Sequence, residues 1–457
     1  MNIPSAVSAQ VLPPVYRARR FLYEGFEIDA SGERVLCRYR LDDHRFTEVI
    51  SVPGAGSSWG TPAVEEGARL VFLLAGISYY KAGAPPRVEL GSTAIRESER
   101  EFLASYYHAG LGEYAYRNNL ELDIGFSGGR EAGPKPAHRG RAGHPLIPFG
   151  GGLDSIVTVE LIRSLTESPA LFIVSSGGRN FASIDAAAEA CGLPVVRATR
   201  DLDPSILRPL PNWLNGHVPV TGIISSIAVL AAVLGGNDAV VMSNEWSTSA
   251  GNTLFNGEVV NHQYSKSAAF EDGFRRVLDG AFSEPPEYFS FLRSSSTLWI
   301  ARHFARLDRY HSVFRSCNRA FHIDPSLRQF NWCGVCDKCC FVDLVLAPFL
   351  SRDELDAIFN GREPLENPEL GAQFATLLGL SDQSKPFECV GDIDECRIAL
   401  ILAAERLDRA GNPLAGGLRD RLAKAGLLPA PHEAGAMFRP MGPNNIPERY
   451  AAAANLD

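Results

Sequence analysis

The sequence predicts an α/β protein: a parallel sheet with helices on both faces, preceded by a β-rich block and followed by a helical region. Three observations carry this. From His144 onward, short apolar runs alternate with segments of helical apolar spacing, the pattern of strands joined by crossover helices. Near the start of that alternation, residues 146–155 (LIPFGGGLDS) lead from an apolar run through three glycines into a helix start. Before it, residues 21–28, 34–41, 46–52 and 69–81 read as strands separated by turn residues. The chain divides on this reading into a β-rich domain (1–127), a linker (128–143), the α/β domain with a cysteine cluster (144–345), and a helical region with a tail (346–457).

Composition sets outer limits. The formal net charge of −9 argues against a broad nucleic-acid surface, because phosphate binding depends on clustered Lys and Arg. The opening MNIPSAVSAQVLPP lacks a charged start followed by a sustained apolar run, so no secretory signal is expected and the cytoplasm is the default location.

In the first block, alternation is clearest at Val35, Cys37 and Tyr39, and an antiparallel meander is the simplest arrangement. Residues 54–60 (GAGSSWG) mimic a dinucleotide-binding loop. Thr61 and Pro62 follow in place of an apolar helix, so the loop is discounted. Residues 97–116 turn helical, with Phe102, Leu103, Tyr106 and Tyr107 expected to pack on the meander. Residues 128–143 (GGREAGPKPAHRGRAG) are almost free of apolar side chains and are expected to be a mobile linker, or a basic lid over an anionic ligand.

The glycine turn at 150–152 is suited to phosphate. Glycines permit a sharp bend and expose backbone amides, and a helix N-terminus adds partial positive charge. Asp154 is placed to hold a metal or cap the helix, and Ser155 to donate to a phosphate oxygen; an ordinary βα turn would show the same glycines. Strands at 171–174, 195–198 and 239–242 alternate with helices at 184–191 and 220–234. The uncharged run 218–237 is nearly long enough to cross a bilayer, but Pro219, Gly222, Ser225, Ser226 and its Gly235–Gly236 end favour a buried helix. Ligands of parallel sheets sit at the carboxyl ends of the strands, which brings GGGLDS, residues 175–180 and residues 243–246 together.

Four of the nine cysteines, Cys333, Cys336, Cys339 and Cys340, fall within eight residues, with Cys317 upstream. Cys317, Cys333, Cys336 and Cys339 make a four-thiolate set expected to hold structural zinc, with an iron–sulfur cluster or unligated thiols as alternatives. Cys340 is spare. Further on, Asp392 and Glu395 form a capping box for a helix running through Ile398, Ile401, Leu402 and Leu407. The tail beyond Pro429 is expected to be partly ordered at best.

GGGLDS after a strand resembles the SGGxDS signature of the PP-loop ATP pyrophosphatase superfamily, over about residues 144–345. This implies an adenine nucleotide alpha hydrolase-like fold that splits ATP into AMP and pyrophosphate to adenylate a substrate. Gly150 stands where the first Ser is usual, at the cost of one hydroxyl. A Gly-Lys-Ser/Thr P-loop is absent. The cysteine tract is similar to the zinc-binding tail of deazaguanine nitrile synthases, whose first spacing is shorter.

Taken with SNEWSTSAGN, the SCNRAF and WCGVCDKCCFV tracts and KPFECVG, the arrangement resembles the UDP-N-acetylmuramoyl-L-alanyl-L-glutamate epimerase family, MurL, over most of the chain. The resemblance implies ATP- and magnesium-dependent inversion of the terminal L-glutamate of UDP-MurNAc-L-Ala-L-Glu, releasing AMP and diphosphate, in peptidoglycan precursor biosynthesis. It places Gly150, Gly151, Gly152, Ser155 and Ser175 around ATP, Asp154 on magnesium, and Ser243, Asn244 and Glu245 in the shared site. Asp154, Ser155 and Glu245 form the catalytic set, and the base that inverts Cα is sought among Cys389, Cys396, His262 and Glu245. The PP-loop motif alone also fits an amide- or nitrile-forming ligase, a tRNA-modifying enzyme, which the acidic balance disfavours, or a protein that binds nucleotide without turnover.

Overall fold

The computed structural model describes residues 17–177, 181–321 and 325–454. Strands β1 (Phe21–Asp29), β2 (Arg34–Leu41), β3 (His44–Ser51), β4 (Arg87–Glu89), β5 (Gly125–Ser127), β6 (Leu146–Pro148), β7 (Ala170–Ser175), β8 (Val195–Asp201), β9 (Ala239–Met242) and β10 (Glu287–Ser290) form one sheet. Their spatial order is β10-β9-β6-β7-β8-β3-β2-β1-β4-β5. β1 to β3 are the expected antiparallel meander, with Val35, Cys37 and Tyr39 buried on one face of β2. β10, β9, β6, β7 and β8 are mutually parallel.

The two halves meet at β3 and β8, which pair antiparallel with Ser51 opposite Thr199. A buried ion pair reinforces the junction. Arg200 Nε donates to Glu48 Oε1 at 2.7 Å, and its Nη2 donates to Ser78 Oγ at 2.7 Å. Main-chain hydrogen bonds thus run without a break from the meander into the α/β block.

The helices that frame the sheet are α1 (Pro62–Ala75), α2 (Glu97–Gly110), α3 (Leu153–Ile162), α4 (Ala182–Cys191), α5 (Val220–Gly235), α6 (Ala268–Ala281), α7 (Thr297–Phe304), α8 (Asp337–Leu346) and α9 (Ile393–Ala404). Successive strand residues serve opposite cores: Val240 and Met242 face the core of α1, α2, α5 and α6, while Ala239 and Val241 face that of α3, α4, α7, α8 and α9. Both faces of the parallel half are covered, as such sheets require. α5 lies against α1, where a Cβ on Gly67 would sit 3.3 Å from Leu230, and no helix among the described residues is long and apolar enough to cross a membrane.

Residues 69–81 are helical, not the strand expected. Thr61 accepts from the Val64 amide as N-cap and Pro62 occupies the first turn, a strong start signal. α1 is buried between the sheet and α5, and its residues 70–75 are a continuous buried apolar run, a pattern that does not tell strand from helix. This helix also follows GAGSSWG, so the ground given for discounting that loop does not hold. What occupies the loop is internal: the Gly54 and Gly56 amides donate to the Glu33 carboxylate at 2.8 and 2.7 Å.

Residues 128–143 are not a free linker. Arg130–Glu131 pairs with Ala94–Ile95, the Arg141 amide donates to Gly236 O, and Lys135 Nζ donates to Asp279 O at 2.8 Å. Asp238 holds the amides of Gly143 and His144. These anchors lie at the starts of β6, β9 and β10, opposite the carboxyl ends, so the segment is not placed to close over the glycine turn.

In the C-terminal region the Asp392–Glu395 capping box opens α9 as expected. The helix stops at Ala404, and Leu407 lies beyond it, 94% exposed. The tail is more ordered than expected: Tyr450 is buried against Phe289, and the Met441 amide donates to Ser294 O.

Candidate active site

Within the parallel half, chain order runs outward from β6 through β7 to β8 and then returns to β9 and β10 on the other side. The reversal lies between β6 and β9, the crevice where ligands of doubly wound sheets bind. Leu153 and Asp154, which directly follow the glycine turn, and the loop after β9 meet there as walls of one cleft; Gly150, Gly151 and Gly152 lie next to it and do not line it.

The turn depends on its glycines unequally. Gly151 has φ +71, and a Cβ there would come within 3.3 Å of Ala187 and Ile184 on α4. Gly152 is the N-cap of α3, and a Cβ would lie 2.7 Å from Ser316 Oγ. Gly150 faces open space. Its missing hydroxyl therefore costs no packing. Ser155 is turned inward, donating to Gly152 O at 3.1 Å, while Asp154 lines the cleft.

From β9 come Ser243, Asn244 and Glu245, all in the cleft wall. Both Glu245 oxygens accept from Ser247, Oε1 from the hydroxyl at 2.9 Å and Oε2 from the amide, so this residue also caps the turn Trp246–Ser249. Burial raises the Glu245 carboxyl, and the negative charge of Asp154 raises it further. Burial raises Asp154 as well, against the pull of Lys338 and Lys266. Two carboxylates that repel each other across one cleft are a donor set fitted to a hard divalent cation. Two buried donors, Ser243 Oγ and Lys385 Nζ, have no hydrogen-bond partner among the described residues, and the Lys385 charge acts on Glu245. Such donors fit an anionic ligand.

Ser175 does not line this cleft; its hydroxyl donates to Ala198 O at 3.5 Å on β8. Residues 178–180 of the same loop lie outside the described residues.

Among the four candidate bases, Cys396 lies in the core on α9, where burial pushes its thiol up. Cys389 lines the cleft. Lys266 Nζ donates to its sulfur at 3.2 Å, and Lys338 Nζ donates to its carbonyl. Burial alone would raise the Cys389 thiol, but Lys266, His262 and Lys338 outweigh it and bring it down to about 5. Burial likewise opposes charge on Lys266, and Cys389, Asp154 and Glu245 hold it protonated. Behind Cys389, Glu113 Oε2 lies 2.5 Å from His262 Nδ1. Burial lowers His262, yet its hydrogen bonds to Cys389 and Glu113 raise it to about 9. The His217 ring lies 4.2 Å from it, tilted by 40°, and is pushed down to about 4, first by burial and then by the His262 charge.

Lys266, Lys338, Glu113 and Ser316 were not singled out from the sequence. Lys338 sits inside the cysteine tract, which was read only for its thiols. Glu113 is 149 residues from His262 and has no local signal.

The sulfurs of Cys317, Cys333, Cys336 and Cys339 lie within 4.8 Å of one another, with Cys339 3.5 Å from both Cys333 and Cys336. Tetrahedral zinc thiolates, with Zn–S near 2.3 Å, require sulfurs about 3.8 Å apart, so the set fits the metal. Four protein donors leave no open position. Cys340 is buried outside the set. The cluster also bears on the cleft, since Ser316 precedes Cys317 and Lys338 precedes Cys339, and both line it.

Comparison with known proteins agrees with this architecture. The chain matches the family described as MurL N-terminal domain over residues 15–291 and that described as MurL C-terminal domain over residues 313–431. It is 41% identical over 368 residues to a UDP-N-acetyl-alpha-D-muramoyl-L-alanyl-L-glutamate epimerase of Xanthomonas oryzae pv. oryzae, covering 79% of this chain and 80% of the relative. Relatives of the same description from a Micromonospora species and Salinispora tropica are 38% and 37% identical, each covering 96% of this chain and 98% and 96% of their own.

Proposed function

The chain belongs to the MurL family, and on that premise we propose that it inverts the terminal L-glutamate of UDP-MurNAc-L-Ala-L-Glu to D-glutamate, after adenylating its carboxylate with ATP. The carrying observation is the meeting of Leu153 and Asp154, directly after the glycine turn, with the 243–245 loop in one cleft that holds paired carboxylates, buried ammonium groups and a thiolate.

The chemistry requires activation. Removing the Cα proton beside a free carboxylate places a second negative charge next to the first. Adenylation removes the obstacle by making the carboxyl neutral and electron-withdrawing. On this reading the backbone of Gly150 to Gly152 and the N-terminus of α3 cradle phosphate, as in PP-loop pyrophosphatases. Ser243 and Lys385 supply further donors, and Ser316 stands beside Gly152, where a hydroxyl offsets the one that Gly150 lacks. Asp154 and Glu245 are the residues that would hold magnesium, which when bound neutralises phosphate charge. The four thiolates would hold structural zinc. The nucleotide substrates of such a reaction are cytoplasmic, which is where we place the protein.

The test is incubation of the purified protein with UDP-MurNAc-L-Ala-L-Glu, ATP and magnesium in heavy water. Pyrophosphate release with one deuterium at glutamate Cα and formation of D-glutamate is expected. Pyrophosphate without deuterium would point instead to a ligase, and the absence of both signals would overturn the reading.

A further inference from the structure

We propose that Cys389 is the base that takes the glutamate Cα proton, held as a thiolate by Lys266 and by the Glu113–His262 pair; this rests on the adenylating-epimerase reading above.

A base must lie in the cleft, carry a free lone pair and be unprotonated before the reaction. Glu245 is fixed by Ser247 and belongs, with Asp154, to the paired carboxylates that suit a cation, and a carboxylate that holds a cation is a poor base. Lys266 is held protonated, and His262 lies behind the sulfur, bonded to Glu113. Cys389 remains: it lines the cleft beside Asp154 and Glu245, with an ammonium 3.2 Å from its sulfur.

The charges around it support the same role. Lys266 reaches it from the turn Tyr264–Lys266, His262 from the preceding loop with Glu113 and His217 behind, and Lys338 from α8. Asp337 and Glu388, both raised by burial, are the acidic groups beside Lys338. The cations win, and the thiol is ionised at neutral pH. Sulfur spreads its charge, so a thiolate enters a buried cleft at less cost than a carboxylate.

The step balances without a further reagent beyond the ATP that forms the adenylate. The Cα–H bond breaks, its proton forms S–H on Cys389, and the electron pair moves into the adenylated carboxyl as an enolate. A solvent-derived proton then bonds Cα on the opposite face, S–H returns its proton to water, and hydrolysis releases AMP. Lys266 is a positioning residue, as are His262 and Glu113.

The experiment measures pyrophosphate release and Cα deuterium exchange in the same heavy-water reaction for the wild type, Cys389→Ala and Cys389→Ser, with intact-protein mass after acid quench. Relative to the pyrophosphate each releases in the same reaction, both variants are expected to lose exchange by about 10²- to 10⁴-fold, the usual contribution of a general base. Exchange at the wild-type rate in Cys389→Ala would overturn the proposal, as would a substrate acyl adduct on Cys389, which would make the sulfur a nucleophile. Absence of pyrophosphate from the wild type would instead overturn the underlying reading. If neither variant folds, iodoacetamide alkylation of wild-type Cys389 decides: a midpoint near pH 5 with protection by UDP-MurNAc-L-Ala-L-Glu supports the role, and a midpoint near 8 to 9 without protection overturns it.

Discussion

The Lys266 ammonium donates to the Cys389 sulfur at 3.2 Å while lying within the field of Asp154 and Glu245. One lysine therefore links the thiolate to the paired carboxylates. Replacing it by methionine removes the strongest charge that opposes burial at Cys389, so the thiol is expected to rise from about 5 toward its ordinary range. The pH profile of Cys389 alkylation checks this, with an upward midpoint shift of about one unit or more expected. An unchanged midpoint would leave His262 and Lys338 as the supports of the thiolate.

The Glu113–His262 pair gives stability a pH dependence. His262 is raised from 6.5 to about 9, so its contribution is complete below pH 6.5 and fades as pH rises through about 9. Cys389 is lowered from 9.0 to about 5, so its contribution is complete above pH 9 and fades as pH falls through about 5. Glu113→Gln is expected to destabilise the protein most near pH 6 and by less above about pH 9.5, where only the Arg117 ion pair is lost, as measured by urea unfolding across pH. A penalty that persists unchanged at high pH would assign Glu113 a packing role instead.

The three glycines of the turn separate in mutagenesis. Gly151→Ala forces a side chain into φ +71 and against α4, at a backbone cost of about 1–2 kcal/mol. Loss of ATP-dependent pyrophosphate release should accompany it. Gly150→Ser enters open space, and its melting temperature should equal that of the wild type. A destabilised Gly150→Ser protein would contradict the geometry of the turn.

Zinc analysis of the purified chain should find one equivalent. Cys336→Ser should lose it, melt at lower temperature, and release less pyrophosphate because Ser316 and Lys338 are displaced. A structural zinc contributes on the order of 10 kcal/mol to local folding, so partial unfolding of the region around α8 is the expected extreme. A metal-free wild type of full stability would remove the zinc from the account.

Arg409 and Glu363 form an ion pair at 2.5 Å, each 2% exposed, beside the buried Asp343. Arg409→Met leaves acidic groups buried without a counter-charge. Breaking such a pair costs about 3–5 kcal/mol, which urea denaturation would register; a loss below about 1 kcal/mol would show that the carboxyls simply protonate.

Local chemistry explains what the sequence disclosed. The meander strands, β9 and the Asp392 capping box were legible because alternation, apolar runs and capping spacing are short-range signals. α1 was read as a strand because residues 70–75 form a continuous buried apolar run, which periodicity does not assign to either helix or strand. The GGGLDS turn, the 243–245 loop and the four thiols were likewise contiguous signals, and the fold brings Asp154 of the first and the second into one cleft. Cys389 was among four candidate bases, but what singles it out is Lys266, 123 residues away in sequence. No spacing rule encodes that encounter. Ser175 was chosen by its place at a strand end, and the carbonyl of Ala198 took its hydroxyl instead.

The β3–β8 pairing has a consequence for dissecting the protein. A fragment starting at His144 would leave Thr199 to Asp201 without partners along one side of β8, and would leave Arg200 without Glu48. Bare strand edges recruit other chains. The N-terminal block therefore acts as a guard against self-association, and expression of the α/β portion alone should give insoluble oligomers where the whole chain gives dispersed protein.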